Sequence, residues 1–190
     1  MESGLCFLPN SCDHRVVGLK IYCTQVTDAV HANGSYIFLQ LWALGRTADP
    51  AVLKKEGGFE LVAASPIPLA KGGPHSGEGE VVVPHELTAA EIKEYVQLYS
   101  KAASNAVEAG FDGVEVHAAN GYLLDQFLQT VTNERTDEYG VSVDNRVRFP
   151  LEVIKAVVGT IGAERTSVRI SPWSQFQGEG HPFQFVVRSF

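Results

Sequence analysis

Apolar residues recur at helical spacing over residues 88–109. They form one stripe, Ile92, Tyr95, Val96, Tyr99, Ala103, Ala106 and Val107. Thr88 and Glu91 have the spacing of a capping box, in which each side chain satisfies a backbone amide of the first turn. Gly110 follows the stripe and predicts the end of the helix, because glycine tolerates the left-handed conformation found there.

A second long helix is predicted over residues 143–161, with its start near Ser142 and its end at Gly162. Pro150 either ends a first helical piece or kinks the whole helix. Shorter helices are predicted at residues 22–31 and 123–128. The helix at 22–31 has its apolar positions on one face, at Tyr22, Val26, Ala29 and Val30.

Three strands are predicted, at residues 35–42, 113–117 and 166–171. The first is an almost continuous apolar run, which is typical of a strand buried on both faces. Residues 43–87 are loop-like, and within them residues 61–64 and 81–83 are expected to form a short antiparallel excursion. The order of strand, loop, helix, strand, helix and strand predicts a parallel α/β sheet.

Each predicted strand carries one polar residue in its carboxyl half: Gln40, His117 and Arg169. Polar groups that converge from several strand ends mark the active site of a (β/α) barrel, so the strands are expected to be neighbouring staves of one. A buried Gln40 needs hydrogen-bond partners, either in the backbone or in a ligand. Arg169, in an otherwise buried strand, needs a carboxylate or an anionic ligand.

Asn120 and Tyr122 follow His117 closely, and the three side chains form a candidate cluster just past a strand end. The alternative is a histidine satisfied within the core beside a turn asparagine. Farther along, the polar segment (residues 132–139) carries five ionisable groups between apolar stretches. A solvated loop and a structural element are both compatible with that composition.

Composition narrows the possible functions. A net charge of −7 over 190 residues argues against nucleic-acid binding, which needs a basic face. No apolar run reaches the ~20 residues of a membrane helix, and no secretory signal starts the chain. An odd number of cysteines, Cys6, Cys12 and Cys23, without metal-binding spacing indicates free thiols, no metal and a cytoplasmic location. No Rossmann or P-loop glycine motif is present.

Three segments together resemble the old yellow enzyme family of FMN-dependent ene-reductases (NADH:flavin oxidoreductases, NADPH dehydrogenases). They are residues 36–46 (YIFLQLWALGR), residues 109–127 (AGFDGVEVHAANGYLLDQF) and residues 133–140 (NERTDEYG) with Asn145-Arg146 and Arg148-Phe149. The resemblance covers residues 24–180 and implies a TIM (β/α)8 barrel with FMN at its carboxyl-end mouth. About three central strands with flanking helices are expected here, and therefore a partial barrel.

The resemblance also implies a role for each candidate residue. Gln40 would bind the pyrimidine side of the flavin, and Arg169 would lie near flavin N1, where reduction develops negative charge. His117 and Asn120 would donate hydrogen bonds to the carbonyl oxygen of an α,β-unsaturated substrate. Hydride would come from FMN reduced by NADPH or NADH, and Tyr122 would protonate the α-carbon. Trp42 and Phe176 would shape the substrate pocket.

Departures from the family pattern divide the chain. Val141 replaces a glycine that usually follows residue 140, and a complete barrel needs ~250 residues. We expect an atypical segment at residues 1–20, a partial FMN-binding barrel domain at 21–180 and an atypical tail at 181–190. The first and last strands of the family's barrel are expected to be missing.

The resemblance and the departures from it leave two possible functions. One is an FMN-dependent reductase of a small-molecule enone, and the alternative is a non-catalytic fragment that cannot hold FMN alone.

Overall fold

A computed structural model of the protein describes residues 23–69 and 81–173. The chain divides into two compact units. The first consists of the described part of Met1–Ala43 with Ala89–His117 and Leu151–Arg169. The second consists of the described parts of Leu44–Thr88 and Ile170–Phe190 with Ala118–Pro150. The terminal segments predicted at 1–20 and 181–190 lie outside the described residues, and that division stays a prediction.

All the predicted helices and the three predicted main strands are present. The helices are α1 (residues 23–31), α2 (Pro50–Glu56), α3 (Ala89–Glu108), α4 (Leu123–Leu128), α5 (Val143–Arg146) and α6 (Arg148–Ile161). The strands are β1 (Phe38–Leu41), β2 (Val62–Ala63), β3 (His85–Glu86), β4 (Gly113–Ala118) and β5 (Thr166–Ile170), and short 3-10 turns occur at Gly45–Thr47 and Ala163–Arg165. None of the helices of these residues is long and apolar enough to cross a membrane.

The main sheet has the strand order β1-β4-β5, with β4 in the centre. β1 runs parallel to β4, with Phe38 opposite Gly113 and Leu41 opposite Val116. The parallel pairing confirms the predicted α/β class. The core of this unit includes Val116, which is fully buried, and the buried side chains of α3: Ile92, Val96, Tyr99, Ala102, Ala103 and Ala106.

Both outer strands of this sheet are more exposed than the sequence predicts. Phe38 in β1 is 46% exposed and Ile170 in β5 is 56% exposed. Each outer strand pairs only with β4 within the described residues, so its second edge has no neighbouring strand there. The predictions that residues 35–42 are buried on both faces and that Arg169 lies in a buried strand are therefore wrong for this chain.

Helix α1 forms as predicted and ends before Gly34, whose φ is +69°. Its predicted apolar face is wrong, because Val26 is 52% exposed while Thr27 is fully buried. The Thr27 hydroxyl lies 2.9 Å from the carbonyl oxygen of Ala109, the residue that follows α3. This contact turns the polar side of α1 toward α3. Tyr22, the first member of the predicted face, lies outside the described residues.

In the second unit, β2 and β3 form a parallel two-stranded sheet. Val62 pairs with His85, and the His85 N–H donates to the Leu61 carbonyl at 2.7 Å. The predicted antiparallel pairing with residues 81–83 is wrong, since these residues form no regular secondary structure and the strand forms at His85–Glu86, parallel to β2. Local hydropathy predicted the strand at the valines of residues 81–83, whereas the backbone hydrogen bonds of the sheet start at His85, two residues after Val83.

The helices differ from the sequence predictions in two places. Helix α2 lies inside the segment predicted to be loop-like, and Asp49 caps it by accepting from Ala51 N–H at 2.7 Å. The Asp-Pro pair at its start is a recognised helix-initiation signal that the apolar pattern did not include. The second long helix is interrupted at Val147, between α5 and α6. Pro150 lies in the first turn of α6, where a missing N–H costs nothing.

Candidate active site

A row of three polar side chains crosses the sheet of the first unit. Gln40 on β1 lies opposite Glu115 on β4, and Arg169 lies on β5. One carboxylate oxygen of Glu115 accepts from Gln40 Nε2 at 2.5 Å and from Arg169 Nε at 2.8 Å. We call Gln40, Glu115 and Arg169 the polar row. The carboxylate that the sequence required for Arg169 is thus Glu115, while Gln40 is exposed and not the predicted buried amide.

Glu115 was missed in the sequence, although a signal was present. Successive strand residues point to opposite faces, so Glu115 shares a face with His117, two residues later. Val114 and Val116 take the other face and are fully buried. The hydrogen bond from Arg169, and to a smaller extent the one from Gln40, lowers the pKa of Glu115. Its carboxylate is therefore ionised at neutral pH.

His117 ends this strand face and is only 5% exposed. The Trp42 ring lies nearly parallel to the imidazole, with an interplanar angle of 20° and 6.2 Å between ring centroids. Burial, followed by the nearby Arg169 guanidinium, holds the pKa of His117 below its ordinary value of 6.5. The imidazole is consequently neutral at pH 7 and keeps one N–H as a hydrogen-bond donor.

Asn120 and Tyr122 lie in the second unit, in the turn that leads into α4. Asn120 adopts a left-handed conformation with φ of +57°, which asparagine tolerates better than most residues. Its backbone N–H donates to Ser171 Oγ at 2.7 Å. Tyr122 occupies the N-cap position of α4 and is 8% exposed, and its carbonyl accepts from Gln126 N–H at 2.8 Å.

Two buried side chains of α4 hold this turn. Asp125 accepts from Gly121 N–H at 2.8 Å and from Gln129 Nε2 at 3.1 Å. The Gln126 amide donates to the Gly121 carbonyl at 2.8 Å and to the Leu44 carbonyl at 3.2 Å. Replacing either Asp125 or Gln126 with an apolar residue would break hydrogen bonds that hold the turn. Burial raises the pKa of Asp125 to about 6.

The polar segment (residues 132–139) is a folded element of the second unit and not a solvated loop. Arg135 has a side chain only 3% exposed, which donates to the carbonyls of Ala64 at 3.0 Å and Leu87 at 2.6 Å. It also pairs with Asp137 and lies 5.6 Å from the centre of the Phe127 ring. Arg135 therefore ties the segment to the ends of β2 and β3, in agreement with the structural interpretation.

The predicted site residues fall into three groups. Gln40, Trp42, His117 and Arg169 belong to the first unit, where Gln40 and Arg169 bind Glu115 and Trp42 stacks with His117. Asn120 and Tyr122 belong to the second unit. Phe176 lies outside the described residues. Their individual roles stay predictions.

Comparison with known proteins identifies the class. The profile of the NADH:flavin oxidoreductase / NADH oxidase family matches residues 22–186. Chanoclavine-I aldehyde reductase fgaOx3 of Penicillium roqueforti is 54% identical over 154 residues, which are 81% of this chain and 40% of that protein. NADP-dependent oxidoreductase lnbE of Aspergillus flavus is 53% identical over 154 residues, 81% of this chain and 38% of that protein.

Among solved structures, old yellow enzyme from Pichia sp. AKU4542 superimposes with a TM-score of 0.77 at 43% identity, over 88% of this chain and 42% of that one. The chain therefore belongs to the NADH:flavin oxidoreductase / NADH oxidase family and is of the old yellow enzyme type. It spans about 40% of the length of the relatives it matches. Its fold is accordingly a partial (β/α) barrel, as the sequence predicted.

The polar row suits the pyrimidine edge of FMN in its chemistry. That edge presents carbonyl oxygens and an N–H, and so needs both donors and an acceptor. Gln40 offers an amide oxygen, and Arg169 offers guanidinium N–H groups beyond the one that Glu115 accepts. The two lie on the strands that flank β4. Gln40 and Arg169 would hold this part of the cofactor.

Proposed function

We propose that this chain carries the substrate half of an FMN-dependent oxidoreductase, which reduces the activated C=C bond of α,β-unsaturated carbonyl compounds with NAD(P)H. The observation that carries the proposal is the arrangement of the first unit. A neutral His117 stands on the same strand face as Glu115, which holds both Gln40 and Arg169. His117, a hydrogen-bond donor suited to a substrate carbonyl, thus shares a strand face with the residue that holds Gln40 and Arg169, which are suited to a flavin.

His117 donates its N–H to the carbonyl oxygen of the substrate, which draws electron density from the alkene toward that oxygen. Its depressed pKa serves this role, because a neutral donor polarises the carbonyl without giving up its proton. Asn120 is proposed as a second donor on the strength of the family resemblance. Stacking on Trp42 fixes the plane of the imidazole and therefore the direction of its N–H.

Tyr122 is the proton donor for the α-carbon in this proposal. Its position at the N-cap of α4 fixes its backbone, since the turn before it is held by Asp125 and Gln126. FMN, when bound, would supply the hydride for the β-carbon after reduction by NAD(P)H. Arg169 adds a positive charge that favours the negative charge developed on the flavin.

The substrate and the reductant are proposed from the relatives' names. One relative is named an aldehyde reductase and another an NADP-dependent oxidoreductase. An enal or enone as substrate and NADPH as reductant are consistent with both names. A cytoplasmic location, expected from the free thiols, stays a prediction.

A non-catalytic fragment is the second candidate. Two observations favour it: the chain spans about 40% of its relatives' length, and the outer strands β1 and β5 are exposed. Unpaired strand edges invite association with other chains. A partial barrel would also lack contacts to FMN that a complete barrel provides.

The visible spectrum of the purified 190-residue chain with added FMN separates the two candidates. Near-stoichiometric flavin binding, bleaching by NADPH without oxygen and recovery of colour on addition of cyclohexenone are expected for the enzyme. A protein that stays colourless after FMN is added and the excess removed would contradict it. A protein that binds flavin but is not reoxidised by cyclohexenone would retain the cofactor site and overturn the proposed substrate class.

A further inference from the structure

Glu115 is the only member of the polar row that contacts both of the others. Its Oε1 atom accepts from Gln40 Nε2 at 2.5 Å and from Arg169 Nε at 2.8 Å. We propose that Glu115 is a positioning residue, which sets the orientation of Gln40 and Arg169 toward the cofactor and offsets the charge of the guanidinium. This inference rests on the proposed function and assigns no contact between Glu115 and the cofactor or substrate.

The carboxylate determines which polar atoms remain for a ligand. An ionised carboxylate only accepts hydrogen bonds, so the Gln40 amide must turn its NH2 group toward Glu115 and its oxygen away. Arg169 is held through Nε, and no other residue in the described part of the chain binds its two terminal nitrogens. Within the described residues, both side chains direct their hydrogen bonds to Glu115. The result is an ordered acceptor on one outer strand and an ordered pair of donors on the other.

The position of Glu115 in the sheet suits this role. β4 is the central strand, and fully buried Val114 and Val116 fix the backbone on either side of Glu115. Its partners stand on outer strands, and Arg169 has a side chain that is 53% exposed. An exposed arginine loses rotamer entropy when it is ordered. A carboxylate on the central strand gives it a fixed partner before any ligand arrives.

Charge supplies the second part of the argument. The Glu115 carboxylate balances the guanidinium of Arg169, so the polar row as a whole carries no net charge. Removing the negative charge leaves an unbalanced cation, which favours the negatively charged, reduced form of a flavin. Glu115 therefore lowers the flavin midpoint potential in this proposal, and its loss should raise it.

The first experiment needs no cofactor. The side-chain NH2 signals of Gln40 and the Nε–H signal of Arg169 are recorded by 15N NMR in the wild-type chain, in Glu115→Gln and in Glu115→Asp. Both variants should shift these signals and speed their exchange with water. Glu94→Gln makes the same chemical change at an exposed position of α3 and should leave them unchanged. Circular dichroism confirms that each variant folds.

The second experiment uses FMN and separates charge from position. In Glu115→Gln, the ratio of the affinity for reduced FMN to the affinity for oxidised FMN should be at least tenfold higher than in wild type. This change corresponds to a positive shift of ~30 mV in the flavin midpoint potential. Glu115→Asp keeps the charge but shortens the side chain, so it should bind FMN at least tenfold more weakly with little change in potential. The variant Glu94→Gln should match wild type in both.

The outcomes are distinct. Unchanged NMR signals in Glu115→Gln would overturn the inference whatever the flavin measurements show. Shifted signals with an unchanged potential would overturn its charge component. If the wild-type chain binds no FMN, the proposed function and the flavin part of this inference both fail, and the NMR result alone decides whether Glu115 orients its two partners.

Discussion

The rings of Trp42 and His117 stack with 6.2 Å between their centroids, at the end of the strand face that carries Glu115. The indole covers the imidazole, and burial is the largest cause of the lowered pKa of His117. A tryptophan that follows β1 thus helps to keep a histidine at the end of β4 neutral.

Replacing Trp42 should therefore change how His117 titrates. In Trp42→Ala we expect the pKa of His117 to rise toward its ordinary value, because water reaches the imidazole and solvates its charged form. An NMR titration of the imidazole signals measures the shift. Trp173→Ala removes the same ring from a position that is 81% exposed and is the matched control. An unchanged titration in Trp42→Ala would show that the indole does not desolvate His117.

Asp125 should make stability depend on pH. Its pKa is raised from 3.8 to about 6 in the folded chain. Between pH 3.8 and about pH 6, Asp125 is therefore protonated in the folded state and ionised in the unfolded state. Asp125 therefore contributes stability below about pH 4, and this contribution is lost as the pH rises through about 6. The loss is on the order of 2 to 3 kcal/mol at pH 7.

The measurement is urea unfolding of wild type and Asp125→Asn between pH 4 and pH 8. The asparagine does not ionise, so the difference between the two unfolding free energies should move in favour of the variant as the pH rises. Asp144→Asn controls for the loss of one exposed carboxylate. A difference that is constant with pH would mean that Asp125 does not titrate in this range.

Arg135 should be a main stabilising residue of the second unit. Arg135→Met removes the donors to the carbonyls of Ala64 and Leu87 and leaves both carbonyls buried without them. We expect a loss of about 2 to 4 kcal/mol in unfolding free energy, since each unsatisfied buried group costs about 1 to 3 kcal/mol. Arg165→Met, the same change at an exposed site, should cost far less in the same urea titration. Equal losses would show that burial of the guanidinium is not responsible.

Val141 carries backbone strain that glycine would relieve. Its φ is +68° and the residue is 71% exposed, so a β-branched residue lies in the left-handed region without burying most of its apolar surface. Val141→Gly should stabilise the chain by about 1 kcal/mol, because the left-handed conformation costs a branched residue about 1 to 2 kcal/mol. Thermal unfolding measures this gain. Val143→Gly, in helix α5, should instead destabilise by about 1 kcal/mol.

Tyr122→Phe tests the proposed proton donor. The ring stays in place at the N-cap of α4 while the phenol hydroxyl is lost. Stopped-flow kinetics of the flavin-loaded chain should show oxidation by cyclohexenone slowed by about 10²-fold or more, as expected for loss of a general acid. Reduction by NADPH should be largely unchanged. Equal slowing of both half-reactions would contradict the assignment.

Local patterns predicted most elements because they act over a few residues. The apolar stripe and glycine end of α3, the limits of α4 and the strand at β4 follow from periods of 3.6 and 2 residues. Residues 36–46 and 109–127 also indicated the family, which the profile match confirms. The departure at Val141 was visible in the sequence, whereas its left-handed backbone was not.

The sequence by itself determined most of the helices, the parallel α/β order, the family and the candidate residues Gln40, His117, Asn120, Tyr122 and Arg169. Only the tertiary structure decided which residues they meet. Hydropathy indicates how apolar a strand is but not whether it has neighbours, so β1 and β5 were predicted to be buried and are exposed. Glu115 joins Gln40 to Arg169 across three strands, and that contact exists only once residues 75 and 54 positions apart are brought together.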